Sequence, residues 1–300
     1  MNLLVTGAWQ QATDYLEELK KGHEVIFMQW ENKELPCEYE WVEGIIGNGI
    51  FLSHPIERFK NLRYIQLTSA GYDRVPMNYV EEHQIKIHNA RGVYSIPMAE
   101  FAIAGVLQLY KQARFFSNNQ KNHQWIKHRG LLELNKKKVC IVGCGSVGTE
   151  CAKRFSAFGC HVVGIDLYPR EDEYYQEMLH LKMLDDVLHQ MDIIVLTLPL
   201  TEETHYLMND GRFKQLKEGA VLVNIARGAV VDTEALIKNL DKLGGAVLDV
   251  FEEEPLSGDS ELWDREDVIL TPHNSFVGEK NQKRLKECIL NGLDKNNNWS

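Results

Sequence analysis

No two of the six cysteines stand in a C-x-x-C spacing, and none is grouped with histidines as a zinc site requires. A disulfide framework and a structural metal are therefore not expected, and the chain reads as one for a reducing, cytosolic compartment. Four of the six (Cys140, Cys144, Cys151, Cys160) fall in one short stretch, where packing is the expected role. Basic runs are scarce. Lys136–Lys138 is the longest, and the formal net charge is −10, so nucleic acid is not an expected partner. Long apolar runs are missing too: Phe101–Leu109 falls well short of the roughly 20 residues that span a bilayer, and no membrane partner is expected. Met1–Gly7 has neither a basic lead nor a long apolar segment, so it does not read as a secretory signal. No internal repeat occurs, and the polar run Asn296–Asn298 is the only biased segment.

What is present is alternation. Strand-like runs at Leu3–Thr6, His23–Met28, Val42–Ile46, Tyr64–Leu67 and Ile85–His88 are interleaved with helical spacing at Thr13–Lys20 and Ile56–Phe59. Repeated strand–helix–strand units predict a parallel sheet with helices on its faces, here of flavodoxin-like form. Two loops beyond strand ends, Gly47-Asn48-Gly49 and Ser69-Ala70-Gly71-Tyr72-Asp73, are candidates to meet a ligand, with an ordinary turn as the alternative for each. Met98–Ala113 is apolar on nearly all sides, as for a segment buried between domains or subunits. Ser117–Arg129 reads as a polar connection and Glu171–Gln190 as an acidic helix. Further strands are expected at Asp192–Leu198, Ala220–Ile225, Gly245–Val250 and Val268–Leu270. Thr233–Leu240, with Asp232 or Thr233 as its cap, and Lys280–Asn291, with Gly292 beyond it, read as helices.

The stretch Val139–Gly148 organises the second half. Gly143, Gly145 and Gly148 stand in G-x-G-x-x-G spacing after a buried strand and ahead of a helical pattern that stops at Gly159. Gly143 permits the tight turn, Gly145 lets backbone approach a pyrophosphate, and Gly148 lets the helix pack on the strand. Ser146 and Val147 open the helix, whose N-terminal N–H groups and partial positive charge suit phosphates. Asp166 follows eighteen residues beyond Gly148, at the end of the next apolar run, where the fold places the acceptor for ribose hydroxyls. A carboxylate there repels a 2′-phosphate and favours NAD over NADP, tempered by nearby Arg170.

Arg227, Glu254 and His273 each follow a strand of this half and could converge on one crevice. An arginine fork holds a carboxylate and polarises the adjacent carbonyl. A histidine gives a proton to a developing alkoxide, and a carboxylate beside it favours the imidazolium and fixes its tautomer. Taken singly, each has a plainer reading: a structural histidine, a strand-capping arginine, one solvated acid of three. Their shared placement distinguishes them.

In these residues the chain resembles the D-isomer-specific 2-hydroxyacid dehydrogenase family, phosphoglycerate dehydrogenase-like and NAD-binding. The matching stretches are Ser69–Asp73, Asn89–Val93, Ala99-Glu100, Val142–Gly148, Leu198–Thr201, Asn224–Gly228, Leu248–Pro255 and Thr271–His273. The resemblance implies an α/β fold of two doubly wound parallel-sheet domains: a discontinuous flavodoxin-like substrate domain (1–96 plus 278–300) and an NAD-binding Rossmann domain (97–277). It implies Arg227, Glu254 and His273 as catalytic, with the substrate carboxylate shared between Arg227 and the backbone around Ala70 and Gly71, and His273 also binding the substrate. Leu198, Pro199, Thr204, Ala226 and Asp249 join the cofactor residues on the same ground, Asp249 at the nicotinamide carboxamide. The implied activity is reversible hydride transfer between NADH and a small 2-oxo acid, in a homodimer whose two domains close over the ligands. The alternative of another class is an NAD-sensing, corepressor-like binding protein. His273-Asn274-Ser275-Phe276 departs from the small residues many relatives carry there, which puts the pocket rim in doubt. Glu254 stands where formate dehydrogenases carry glutamine.

Overall fold

The computed structural model describes residues 1–294 of the chain; Asn296–Asn298 and the rest of 295–300 lie outside them. Two compact units separate, one made of residues 1–94 with the segment from Gly278 onward, the other of residues 95–277.

The first unit is built on a five-stranded parallel sheet, with β1 (Asn2–Thr6), α1 (Ala12–Leu19), β2 (Glu24–Met28), β3 (Gly44–Gly47), β4 (Tyr64–Leu67), α2 (Met77–Glu82) and β5 (Lys86–His88) in chain order. The spatial order β2-β1-β3-β4-β5 is the flavodoxin-like one, with its topological switch point between β1 and β3. β1, β3 and β4 are buried almost throughout, as β-branched and leucine side chains between two covered faces must be. One face packs Leu4, Ile45, Ile65 and Phe59. The other packs Leu3, Val5, Trp9 and Tyr64 against Leu285, Ile289 and Leu293 of the helix Asn281–Asp294. Gly292 lies inside that helix rather than capping it. A Cβ there would sit 2.6 Å from Gln66 Oε1 and 2.9 Å from the Tyr64 hydroxyl, so glycine is required by close packing on β4.

The second unit opens with α3 (Ser95–Tyr110) and α4 (Ala113–Lys121) and then runs β6 (Lys138–Val142), α5 (Ser146–Ala157), β7 (His161–Asp166), β8 (Glu177–His180), α6 (Leu184–Leu188), β9 (Ile193–Leu196), α7 (Asp210–Gln215), β10 (Val221–Asn224), α8 (Thr233–Asn239), β11 (Gly245–Leu248) and β12 (Val268–Leu270). Its seven strands are all parallel in the order β8-β7-β6-β9-β10-β11-β12, the doubly wound dinucleotide-binding order with one strand added. Asp232 caps α8 as expected, its side chain accepting from Ala235 N.

The structure locates the cover of one apolar stretch and corrects two further expectations. The apolar stretch at Met98–Ala113 is α3 as far as Tyr110, and one face of it is covered within its own unit: Ala99, Ala102 and Val106 join one core with Cys151, Phe155 and Val247, while Glu100, Ala104 and Gln108 are exposed. Gly105 allows the approach, since a Cβ there would meet Val247 at 2.6 Å. The polar connection is partly α4, which breaks from α3 at Gln112, a left-handed residue with φ of 52°. Its Ser-Asn-Asn run is a poor helix former, which hid it. The acidic helix at Glu171–Gln190 is an edge strand, β8, then a 3₁₀ turn, then α6. Met178, Leu181, Leu184 and Leu188 recur at helical intervals, but pairing with Val163–Asp166 wins over that local pattern.

Candidate active site

The loop after β6 follows from its glycines. Gly143 has φ of 94°, and a Cβ on it would lie 2.6 Å from Leu198 N; one on Gly148 would lie 2.2 Å from Gly143 O. Neither position admits another residue without moving backbone. A Cβ on Gly145, by contrast, would meet nothing within 4 Å, so the middle of the loop faces open space at the start of α5. Open space in front of a helix N-terminus, reached through unsubstituted backbone, is what a pyrophosphate requires, and the residues fit a dinucleotide. Thr197, overlooked in the sequence, braces the loop by donating its hydroxyl to Gly143 O at 2.6 Å. Burial pushes the Cys144 thiol up to about 12, so this loop residue carries no charge beside a phosphate.

Asp166 ends β7 beside this loop. Its Oδ2 accepts from Cys144 N at 2.7 Å and its Oδ1 from Tyr168 N at 2.9 Å. Each oxygen keeps a second lone pair for a ligand hydroxyl. Arg170 folds back, donating to Cys144 O at 2.7 Å and lying 3.5 Å from Asp172. Pro199 is exposed, whereas Leu198 and Thr204 are buried. The Thr204 hydroxyl donates to Pro199 O at 2.8 Å and accepts from Thr201 N at 2.7 Å, so it shapes the turn that presents Pro199.

The expected trio lies on three successive loops beyond β10, β11 and β12. Asn224 turns the first: its side chain accepts from Ala226 N at 3.1 Å and donates to Arg227 O at 3.0 Å. Ala226 is buried and Arg227 half-buried, its Nη1 donating to Ala226 O at 2.7 Å. Gly228 presses on the second loop so closely that a Cβ would fall 1.8 Å from Phe251 C. On that loop the Glu254 carboxylate accepts from Phe251 N at 3.1 Å and meets His273 Nδ1 at 2.9 Å. An ionised carboxylate can only accept, so Nδ1 carries the proton and Nε2 is left to face a ligand.

His273 itself has φ of 49°, a left-handed conformation costly for a residue with a Cβ. Asp249 holds it there. This fully buried residue accepts His273 N on its carbonyl at 2.7 Å. Its carboxylate takes the Thr271 hydroxyl at 2.6 Å, Asn274 N at 2.7 Å and Ser275 N at 2.9 Å. The Asp249 side chain, expected at the carboxamide of the cofactor, is thus turned into the His273 loop in this structure.

In the first unit Ala70 and Gly71 lie just beyond β4. Their carbonyls accept from Asn89 Nδ2 at 2.6 Å and Ser69 Oγ at 3.0 Å, and their N–H groups make no hydrogen bond among the described residues. Among the described residues there is no cluster of three or more histidine, cysteine or acidic side chains that could hold a metal, and no helix is long and apolar enough to cross a membrane.

The profile of the D-isomer specific 2-hydroxyacid dehydrogenase, NAD binding domain, matches residues 103–275, more than half of the chain. The chain belongs to the D-isomer-specific 2-hydroxyacid dehydrogenase family. It is 29% identical to a D-lactate dehydrogenase of Treponema pallidum, over 98% of this chain and 95% of that one. It is 33% identical to a glyoxylate reductase of Pyrococcus horikoshii, over 88% and 84%. The crystal structure of D-lactate dehydrogenase from Aquifex aeolicus, complexed with NAD and lactic acid, superposes with a TM-score of 0.81 at 28% identity, covering 98% of this chain and 96% of that one. The protein is accordingly an NAD-dependent oxidoreductase acting on 2-hydroxy acids, and the match to the NAD-binding domain, residues 103–275, lies within its second unit.

Proposed function

We propose that this dehydrogenase interconverts a small 2-oxo acid and the D-2-hydroxy acid in the cytoplasm, with Arg227, Glu254 and His273 as its catalytic residues. The observation that carries the proposal is the 2.9 Å contact between His273 Nδ1 and Glu254, whose own loop is packed against the one that bears Arg227. NADH supplies the hydride when bound. Arg227 holds the substrate carboxylate through its guanidinium fork and draws electron density from the neighbouring carbonyl. His273 gives its Nε2 proton to the oxygen that becomes the hydroxyl, and Glu254 stabilises the imidazolium before that transfer. In the reverse direction the same nitrogen takes the proton back. The backbone N–H groups of Ala70 and Gly71 are assigned to the substrate carboxylate. Asp166 selects NAD through the adenosine ribose.

Relatives named for D-lactate and for glyoxylate make pyruvate and glyoxylate the first substrates to try. With the better of the two, His273→Ala should lower kcat by roughly 10²–10⁴-fold, the range of a general acid, while NADH binding followed by fluorescence persists. Unchanged turnover would remove His273 from the role. We further propose a homodimer that covers the exposed apolar side chains of Trp125, Ile126, Leu131 and Leu132 in the second unit.

A further inference from the structure

The switch point of the five-stranded sheet, between the carboxyl ends of β1 and β3, is where a flavodoxin-like fold offers backbone donors to a ligand. Here those donors are taken by a side chain of the chain itself. Glu31, three residues beyond β2, reaches across β1 and lays its carboxylate on the loop after β3. Its Oε1 accepts from Asn48 N at 2.7 Å and from the Thr6 hydroxyl at 2.7 Å, and its Oε2 accepts from Gly49 N at 2.7 Å. Two successive backbone N–H groups and a hydroxyl converging on one carboxylate form the kind of nest that binds anionic ligands elsewhere. The fit is close: a Cβ on Gly47 would fall 2.6 Å from Glu31 Oε1 and 3.1 Å from Thr6 Oγ1. A glycine at position 47 is thus explained by the carboxylate beside it.

We infer that Glu31 is a positioning residue for substrate binding: an internal carboxylate that fills the anion nest of the switch point and fixes the Gly47–Gly49 loop. Two consequences follow for the substrate, and both rest on the 2-oxo acid reading above. The substrate carboxylate is denied the nest and is left to the next loop along the sheet, where the Ala70 and Gly71 N–H groups make no hydrogen bond within the described chain. The 3₁₀ turn Ile50–Leu52, anchored by buried Ile50 and led by the clamped Gly49, then holds Leu52 exposed at a fixed place on the loop. Charge-assisted bonds to backbone N–H groups are strong enough to set such a loop.

The test uses Glu31→Ala in the full chain, with formate as a replacement for the missing carboxylate. Glyoxylate KM should rise about tenfold in E31A, the loss of roughly 1.4 kcal/mol of preorganisation, with NADH KM unchanged. Formate should bring the glyoxylate KM of E31A back down by about threefold and leave that of the native protein no lower. In thermal denaturation formate should raise the Tm of E31A above an equal concentration of chloride, and not that of the native protein, as binding to the folded state requires. This second readout needs no turnover, so a native protein that reduces no 2-oxo acid would sink the function and leave the nest to be judged by formate. If E31A does not fold, E31Q keeps one acceptor oxygen and should give an intermediate KM with a smaller formate response. An unchanged KM, or a raised KM with no formate effect on either KM or Tm, overturns the proposal.

Discussion

At the end of β6 the chain turns through Gly143, Gly145 and Gly148, whereas at the end of β1 it turns through Gly7, Ala8 and Trp9. The two sheets share a parallel plan and both reverse strand order beside this first strand. In the seven-stranded sheet the turn is stripped of side chains and its middle faces open space. In the five-stranded one Trp9 is fully buried and stacks on Tyr15, and the adjacent crevice receives Glu31. A parallel sheet with helices makes an anion site geometrically available in either place. Which one takes a cofactor is decided by a few residues that leave the donors bare or cover them.

That contrast can be broken most severely at Gly143. In Gly143→Ala the left-handed backbone and the 2.6 Å approach to Leu198 N both oppose the new Cβ. Together they should weaken NADH binding on the order of 100-fold, measured by calorimetry, since each effect costs about 1–3 kcal/mol. A second difference is surface. The large apolar side chains exposed in the first unit, Trp30, Leu52 and Tyr72, lie on three separate loops, whereas Trp125, Ile126, Leu131 and Leu132 crowd one segment of the second. If that segment joins two copies, Trp125→Lys should raise the dissociation constant of the dimer roughly tenfold or more in sedimentation, as loss of a buried tryptophan does. An unaltered dimer would place the contact elsewhere.

The smallest effect concerns how the seven-stranded sheet closes its amino edge. Asp192 accepts from Lys217 Nζ at 2.7 Å and Lys138 N at 2.8 Å, with Lys137 at 3.8 Å. Burial alone would push its carboxyl up, but these three partners outweigh it and hold the carboxyl below its ordinary value. A carboxyl depressed by folding stabilises above its unfolded value near 3.9, and that contribution is lost as pH falls through the folded value. Asp192→Asn should therefore cost about 1 kcal/mol at neutral pH, after screening of the partly exposed lysines. The gap to the native protein in urea unfolding should close as pH falls from the unfolded value near 3.9 through the lower, folded value. The basic run Lys136–Lys138, the longest in the sequence, is thus partly spent on an internal acid.

The sequence is most legible where one residue type has one physical use. The G-x-G-x-x-G turn, the apolar strands around it and the Asp232 cap belong to this class, because local geometry alone dictates them. The acid Asp166 was placed by distance along the chain, but its two backbone donors were not visible. β8 and α4 were hidden because their residues follow patterns that tertiary pairing overrides. The roles of Asn224, Thr197 and Glu31 are hidden for a different reason. Each acts by hydrogen bonds to backbone it does not adjoin, or to a turn it only introduces, and such bonds leave no periodic trace.

The first unit begins the chain yet depends on the helix Asn281–Asp294 to cover Leu3, Val5 and Tyr64. About 180 residues, the entire second unit, intervene. During synthesis at roughly 5–20 residues per second, one face of the five-stranded sheet therefore waits on the order of 10–40 s at the ribosome without its cover. The NAD-binding unit is contiguous and completes first. Maturation runs against the order of translation, and the half-finished leading segment is where a nascent-chain chaperone would have the most to hold.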